Sequence, residues 1–162
     1  MKNLLGLTML ALAASALAQT TSKVGAFTVL RQIDPLTDRD TSGIYADGED
    51  NYDATLFFSC KTEGLRVMFV PDDYIGSSDD TYPVTYRLDK QPAVGPRGWA
   101  PSTDGEAVFL PQSSTPAFIA AAKNARSIVI QVRDYNGTAI TDTFSLVGLA
   151  SALAKLPCAR GF

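Results

Sequence analysis

Residues 126–147, RSIVIQVRDYNGTAITDTFSLV, decide the fold class. Two runs rich in β-branched and aromatic residues flank Asn136 and Gly137. Such residues favour strands, and Asn-Gly between two such runs is typical of a tight β-hairpin turn. The stretch therefore predicts an antiparallel hairpin with strands at 126–135 and 138–147.

The pairing register of this hairpin stays open at the level of sequence. A two-residue loop would place Gln131 opposite Asp142 and Val129 opposite Phe144. Neither face of the hairpin would then be uniformly apolar, although a strand that covers a core needs one such face. Either a β-bulge shifts the register, or the first strand is covered on both faces.

Strand-like composition also prevails in the rest of the chain. Six further segments are rich in β-branched and aromatic residues and are bounded by turn residues: 26–33, 42–47, 54–60, 65–70, 82–89 and 106–111. Two short helices are predicted: STPAFIAAAKNA, with Thr115 as N-cap and Pro116 at the first position, and LASALAKL near the C-terminus. The pattern predicts a mainly β fold, either an antiparallel β-sandwich or a strongly bent sheet, with two short helices, one of them C-terminal.

The first 18 residues have the features of a secretory signal peptide. Lys2 precedes the apolar run LLGLTMLALAA, and Ala16-Leu17-Ala18 is a small-x-small cleavage sequence. The alternative is an uncleaved N-terminal anchor, but the apolar run is short for a bilayer span. We expect a bacterial Sec-type signal at 1–18, a single β-rich domain at 19–162, a periplasmic or secreted location, and no membrane insertion after cleavage.

The charge balance disfavours nucleic acids and anionic membranes as partners. The chain carries 14 Lys and Arg against 17 Asp and Glu, a net charge of −3, and its pI is near 4.8. A protein that binds phosphate backbones or anionic lipid usually presents an excess of positive charge. A hydrophobic content of 46% with 19% charged residues indicates a folded globular domain.

Two cysteines, Cys60 and Cys158, both fall in the part of the chain that we expect to be exported. An oxidising compartment lets disulfides persist, so we predict that they pair. Closing a loop of about 100 residues would stabilise the fold by roughly 4–5 kcal/mol at most. The alternative is two separate free thiols. A zinc site is disfavoured, because the chain has no histidine to complete a tetrahedron.

Several catalytic chemistries are excluded by composition. Without histidine there is no Ser-His or Cys-His nucleophile and no histidine-based metal centre. A glycine-rich phosphate loop and a G-x-S-x-G motif are also missing from the sequence. The pairs Asp72-Asp73 and Asp79-Asp80 could serve a carboxylate-based hydrolase, although adjacent aspartates are more typical of turns. We expect a protein that is not an enzyme, and keep the hydrolase as the weakest alternative.

One acidic stretch has the spacing of a calcium loop. Asp38, Asp40, Ser42, Gly43 and Glu49 fit D-x-D-x-S-G-x5-E, which offers oxygen ligands, a turn glycine and a closing glutamate. The position that is usually aliphatic holds a tyrosine, no amphipathic helix flanks the loop, and part of it resembles a strand. We expect no cofactor, with calcium binding as the alternative to a solvated acidic loop.

Aromatic residues in polar segments are candidates for partner binding. Trp99 lies in GPRGWAPS beside Arg97, within the breaker-rich segment 89–105, which we expect to be a loop. Tyr74 lies in PDDYIG and is a second candidate of the same kind. Exposed Tyr, Trp and Arg side chains often anchor protein partners or sugars. The alternative for Trp99 is a ring folded back into the core.

Several short motifs resemble known exported proteins. They are Ser59-Cys60 at a strand end, LRVMFV (65–70), VTYRLD (84–89), WAPSTDGEAVF (99–109) and FSLVGLASALAKLPC (144–158). Their order over residues 33–158 resembles the type VI secretion-associated VasI family, and the ending is also similar to the invasion-associated locus B family.

The resemblance implies an exported, non-enzymatic accessory of an envelope assembly, and it brings no catalytic residues. On the matching positions it suggests a structural cluster of Arg87, Asp89, Trp99 and Ser102, in which an arginine could stack on the tryptophan. We therefore expect an exported binding protein of the bacterial envelope or secretion apparatus with a protein partner. The alternative is a calcium- or carbohydrate-binding secreted module.

Overall fold

The computed structural model describes residues 20–162 of the chain. The signal peptide predicted at residues 1–18 lies outside these described residues. Within the described part, none of the helices is both long enough and apolar enough to cross a membrane.

Ten antiparallel strands form the framework of the protein. In chain order they are β1 (Thr20–Val24), β2 (Phe27–Arg31), β3 (Gly43–Asp47), β4 (Thr55–Lys61), β5 (Gly64–Val70), β6 (Tyr82–Leu88), β7 (Val94–Pro101), β8 (Val108–Phe109), β9 (Ser127–Arg133) and β10 (Ala139–Ser145). They form one sheet in the order β1-β2-β3-β4-β5-β8-β7-β6-β9-β10, with β1 and β10 at its two edges. The predicted mainly β, antiparallel fold is confirmed.

The sheet bends so that its two halves face each other. The two-residue strand β8 pairs with β5 on one side and with β7 on the other, and so connects the halves. Phe69 of β5 packs edge-on against Phe144 of β10, with ring centroids 5.9 Å apart. Strands that cover a core alternate between buried and exposed positions, and β5 follows this rule, with Leu65, Val67 and Phe69 buried. One core therefore lies between the two halves.

Both predicted helices are present. They are α1 (Thr115–Ala122) and α2 (Leu149–Leu153). Pro116 lies in the first turn of α1, where its missing N–H costs no hydrogen bond. The prediction of Thr115 as N-cap is wrong, because Ser114 holds that position and Thr115 is the first helical residue.

The hairpin register differs by one residue from the two-residue-loop alternative. Arg133 pairs with Ala139, and Thr141 rather than Asp142 lies opposite Gln131. The loop is longer because the Asp134 carboxylate accepts hydrogen bonds from the backbone amides of Asn136 (2.9 Å) and Thr138 (2.7 Å). The shift turns one face of the hairpin into the core: Ile128, Ile130, Val132, Ile140, Asp142 and Phe144. This face is apolar except at Asp142.

The predicted disulfide is formed. Cys60 in β4 and Cys158, in a 3-10 turn at Pro157–Ala159, are bonded with their Cα atoms 5.5 Å apart. The alternative of two free thiols is wrong. The bond ties the C-terminal segment to the middle of the first half of the sheet, and it is compatible with an oxidising compartment outside the cytoplasm.

Candidate functional site

Trp99 does not form an exposed anchor. The segment 89–105 is not one long loop, because β7 runs through it, and Trp99 points from β7 into the core with no exposed surface. The alternative of a ring folded into the core is the observed one. Arg97, two residues earlier, is exposed and borders a groove of about 290 Å³ whose floor includes Trp99, Tyr86 and Phe118. Burial raises the pKa of Tyr86, and the neighbouring Arg97 partly opposes this.

The residues with calcium-like spacing do not lie together in the structure. Asp40 accepts a hydrogen bond from the Ser42 amide and pairs with Arg31, and the Ser42 hydroxyl accepts one from the Gln32 amide. Glu49 lies beyond the far end of β3, whose five residues separate its ends by roughly 13 Å. The predicted ligands therefore cannot converge on one ion. Among residues 20–162, no group of three or more His, Cys, Asp or Glu side chains is arranged to hold a metal.

The residues that carry the family resemblance support the framework. Asp89 accepts hydrogen bonds from the amides of Arg126 and Ser127, which fixes the start of β9 and lowers the pKa of Asp89. The Ser102 hydroxyl accepts one from the Ala107 amide and closes the turn between β7 and β8. The expected arginine–tryptophan stack is absent from the described residues, where the cation–π contact is that of Arg66 with Phe109.

Tyr74 is exposed and belongs to a cleft that the sequence did not predict as a unit. It packs against Tyr135 with ring centroids 5.9 Å apart and ring planes at 65°. The two rings are 52% and 57% exposed, whereas an aromatic side chain in the core of this protein is almost completely buried. The cleft has a volume of about 290 Å³ and is lined by these residues: Asp73, Tyr74, Asp134, Tyr135, Asn136, Thr138 and Ile140. We call it the tyrosine cleft.

Backbone hydrogen bonds hold the two tyrosines in place. The Tyr135 amide donates to the Ile75 carbonyl at 2.8 Å, and the Ile75 amide donates to the Gly105 carbonyl at 2.8 Å. Gly105 has a φ of +74°, and a Cβ atom there would lie 2.5 Å from the Tyr74 ring. Three loops from different parts of the chain are thus joined, and the tyrosine cleft is preformed.

Two aspartates, Asp73 and Asp134, line the tyrosine cleft. Asp73 is exposed at its border, and Asp134 is oriented by the two amides that bind its Oδ1 atom. Arg133, the neighbouring cation in the hairpin, donates to the Gly137 carbonyl at 2.9 Å and does not line the cleft. The aromatic surface is therefore bordered by negative charge.

Asp142 lies next to Ile140 on the inward face of β10 and is only 8% exposed. Its Oδ2 atom is buried and has no hydrogen-bond partner in the described protein. Burial raises the pKa of Asp142, and the nearby carboxylates of Asp72 and Asp73 raise it further. A carboxylate in such a place costs free energy unless a cation or a donor compensates it.

The predicted carboxylate pairs are only partly brought together. The charges of Asp72 and Asp73 raise the pKa of Asp142, whereas Asp79 and Asp80 lie in an exposed loop. Hydrolysis of a glycosidic bond needs two carboxyl groups that both reach the substrate. The buried Oδ2 atom of Asp142 cannot do so in this conformation.

Sequence reasoning missed Tyr135 and Asp134 as members of the tyrosine cleft, and it missed the burial of Asp142 behind the cleft. The sequence places Tyr135 at the end of a predicted strand. Asp134 shapes the cleft through the hairpin turn that its side chain stabilises. The signal for Asp142 was present, because it is the one charged residue on a hairpin face that is otherwise apolar. That face could not be recognised before the register was known.

Comparison with known proteins supports the fold. No protein-family model matches the sequence, and the curated proteins contain no match. The crystal structure of invasion associated protein B from Bartonella henselae is similar over 84% of this chain and 93% of that chain, with a TM-score of 0.58 and 14% sequence identity. At this identity the likeness shows a shared fold alone. It agrees with the resemblance of the chain's ending to the invasion-associated locus B family, while the VasI resemblance stays a prediction.

Proposed function

We propose that this protein is an exported, non-enzymatic binding protein of the bacterial envelope or secretion apparatus, and that it holds a protein partner at the tyrosine cleft. The observation that carries the proposal is the exposed, edge-packed pair Tyr74–Tyr135. Exposed tyrosines in a fixed position provide contact area at a low cost in conformational entropy, and they are enriched where proteins bind each other.

Three further features support this proposal. The cleft is preformed by the backbone bonds of Ile75 and Gly105, so binding would not have to order a loop. The disulfide lies at the opposite end of β4 and β5 from the cleft, because Cys60 pairs with Leu65 while Tyr74 follows Val70. The signal-like N-terminus and the envelope proteins that the sequence resembles favour an extracytoplasmic role.

Partner capture with matched variants tests the proposal. Tyr74→Ala and Tyr135→Ala should each reduce recovery of the partner that copurifies with the protein after crosslinking in the native cells. Leu36→Ala is the control, since Leu36 is 92% exposed and lies in the β2–β3 turn, at the end of the sheet that holds the disulfide. Equal recovery with all three variants would refute the role of the tyrosine cleft.

A carbohydrate is the second candidate ligand, because exposed tyrosine rings also stack on sugars. Binding of the protein to immobilised envelope glycans, lost in Tyr74→Ala, would favour this alternative. The binding site would then still be the tyrosine cleft, and its ligand would be a glycan instead of a protein.

A further inference from the structure

We propose that the tyrosine cleft binds a lysine or arginine side chain of the protein partner, held between the Tyr74–Tyr135 rings and the aspartates that surround them. This inference rests on the proposed function and adds the chemistry of the bound group. It is carried by the uncompensated negative charge of the cleft and by its aromatic surface.

Within residues 20–162, the carboxylates in and near the cleft have no cationic partner. Among residues 20–162, the ion pair that the structure contains is Arg31–Asp40, in the opposite part of the first half of the sheet. Asp72, Asp73 and Asp142 make neither an ion pair nor a side-chain hydrogen bond within this part of the chain. Carboxylates collected in one place repel each other, so a cation that enters the cleft gains attraction from several of them.

Asp142 adds a further negative charge behind the wall of the cleft. It is more than nine-tenths buried and its Oδ2 atom is unsatisfied; it follows Ile140 of the cleft wall on the inward face of β10 and does not itself line the cleft. A buried carboxylate is normally paired with a cation or fully hydrogen-bonded.

The aromatic rings select an organic cation rather than a metal ion. The face of a tyrosine ring attracts an ammonium or guanidinium group that lies within about 6 Å of the ring centre. A metal ion would need several oxygen ligands in one shell, and the described carboxylates are not arranged in that way. A long basic side chain can place its apolar stem on the rings and its charge near the aspartates.

Peptide titration of the oxidised protein tests the inference. The probe is the pentapeptide Ac-Gly-Gly-Arg-Gly-Gly-NH2, and its control is the same peptide with citrulline, which keeps the shape of arginine without its charge. Backbone amide shifts are followed by NMR at Tyr135 and Asn136. We expect saturable shifts with the arginine peptide and at least about tenfold weaker binding of the citrulline peptide, because charged hydrogen bonds in a partly buried site are strong.

Two variants that each remove one negative charge test whether the arginine peptide binds at the cleft. Asp73→Asn should weaken binding of the arginine peptide roughly 2- to 5-fold, as for a partly exposed ion pair. Glu63→Gln removes one charge from the β4–β5 turn at the other end of the strands and should leave the affinity unchanged. Asp142→Asn should weaken binding less than Asp73→Asn does, because Asp73 lines the cleft and Asp142 lies behind its wall.

The outcomes separate this inference from the proposed function. Equal binding of the arginine and citrulline peptides, or equal effects of Asp73→Asn and Glu63→Gln, would overturn the cationic ligand. Partner recovery that still depends on Tyr74 and Tyr135 would then leave the proposed function intact. A glycan that binds these tyrosines with no dependence on Asp73 would likewise overturn the cationic ligand.

Discussion

Replacing Asp142 with asparagine should stabilise the free protein at neutral pH. The substitution keeps the size and shape of the side chain and removes a charge that is buried without a partner. Leaving a buried polar group unsatisfied costs about 1–3 kcal/mol, and more for a charged one. Asparagine is still polar, so we expect a gain near the lower end, about 1 kcal/mol. For a chain of this size that corresponds to an increase in Tm of roughly 2–4 °C.

The gain should depend on pH in a defined direction. Folding raises the pKa of Asp142, through burial first and through Asp72 and Asp73 next. The fold therefore favours the protonated carboxyl of Asp142. This contribution to stability is fully present below pH 3.8, the pKa in the unfolded chain, and is lost as the pH rises through the pKa in the folded protein. The wild-type protein bears the full cost at neutral pH. The advantage of Asp142→Asn should shrink towards zero below pH 3.8.

Thermal unfolding at pH 7 and at pH 3, followed by circular dichroism, measures this difference. Asp79→Asn is the control, because Asp79 is exposed, and its Tm should stay close to that of the wild type at both pH values. A destabilised Asp142→Asn protein at pH 7, or a gain in Tm that is equal at the two pH values, would show that the buried charge of Asp142 does not destabilise the wild-type protein.

Three further predictions concern the framework. Replacing both Cys60 and Cys158 with serine removes a link across 98 residues. In urea titration the free energy of unfolding should fall by at most about 4–5 kcal/mol. A loss below about 1 kcal/mol would contradict a stabilising role of the disulfide. Trp99→Ala should cost about 3–5 kcal/mol in the same assay, whereas a cost near zero would mean that the ring is not in the core. Asp89→Ala should lower Tm at pH 7. The hydrogen bond from the Arg126 amide is the main cause of the lowered pKa of Asp89. The stabilisation by the Asp89 carboxylate is therefore present above pH 3.8 and is lost as the pH falls. A Tm deficit of the variant that persists unchanged at pH 2 would contradict this explanation.

The elements that local sequence determines could be predicted. β-branched runs, the Asn-Gly turn and the helix with Pro116 in its first turn each depend on residues close together in the chain. The pairing of Cys60 with Cys158 followed from composition, since the two cysteines had no competitors. The hairpin register did not follow, because the Asp134 side chain stabilises a longer loop than Asn-Gly alone indicates.

The candidate site depends on long-range contacts that no local pattern reveals. Tyr74 and Tyr135 are 61 positions apart and meet because the Ile75 carbonyl accepts the Tyr135 amide hydrogen bond. Trp99 was placed in a loop because glycine and proline surround it, although those residues lie in a strand whose other positions are mostly exposed. Burial of Asp142 became visible once the register assigned it to the inward face.

Site-specific photocrosslinking in living cells shows whether the tyrosine cleft contacts a protein partner. A benzoylphenylalanine is introduced at position 135 and, in a second strain, at position 36, and the crosslinked products are identified by mass spectrometry. We expect one discrete protein product from position 135 that is missing from position 36 and is reduced by Tyr74→Ala. The same products from both positions, or no product from position 135 while the protein is exported and folded, would contradict it.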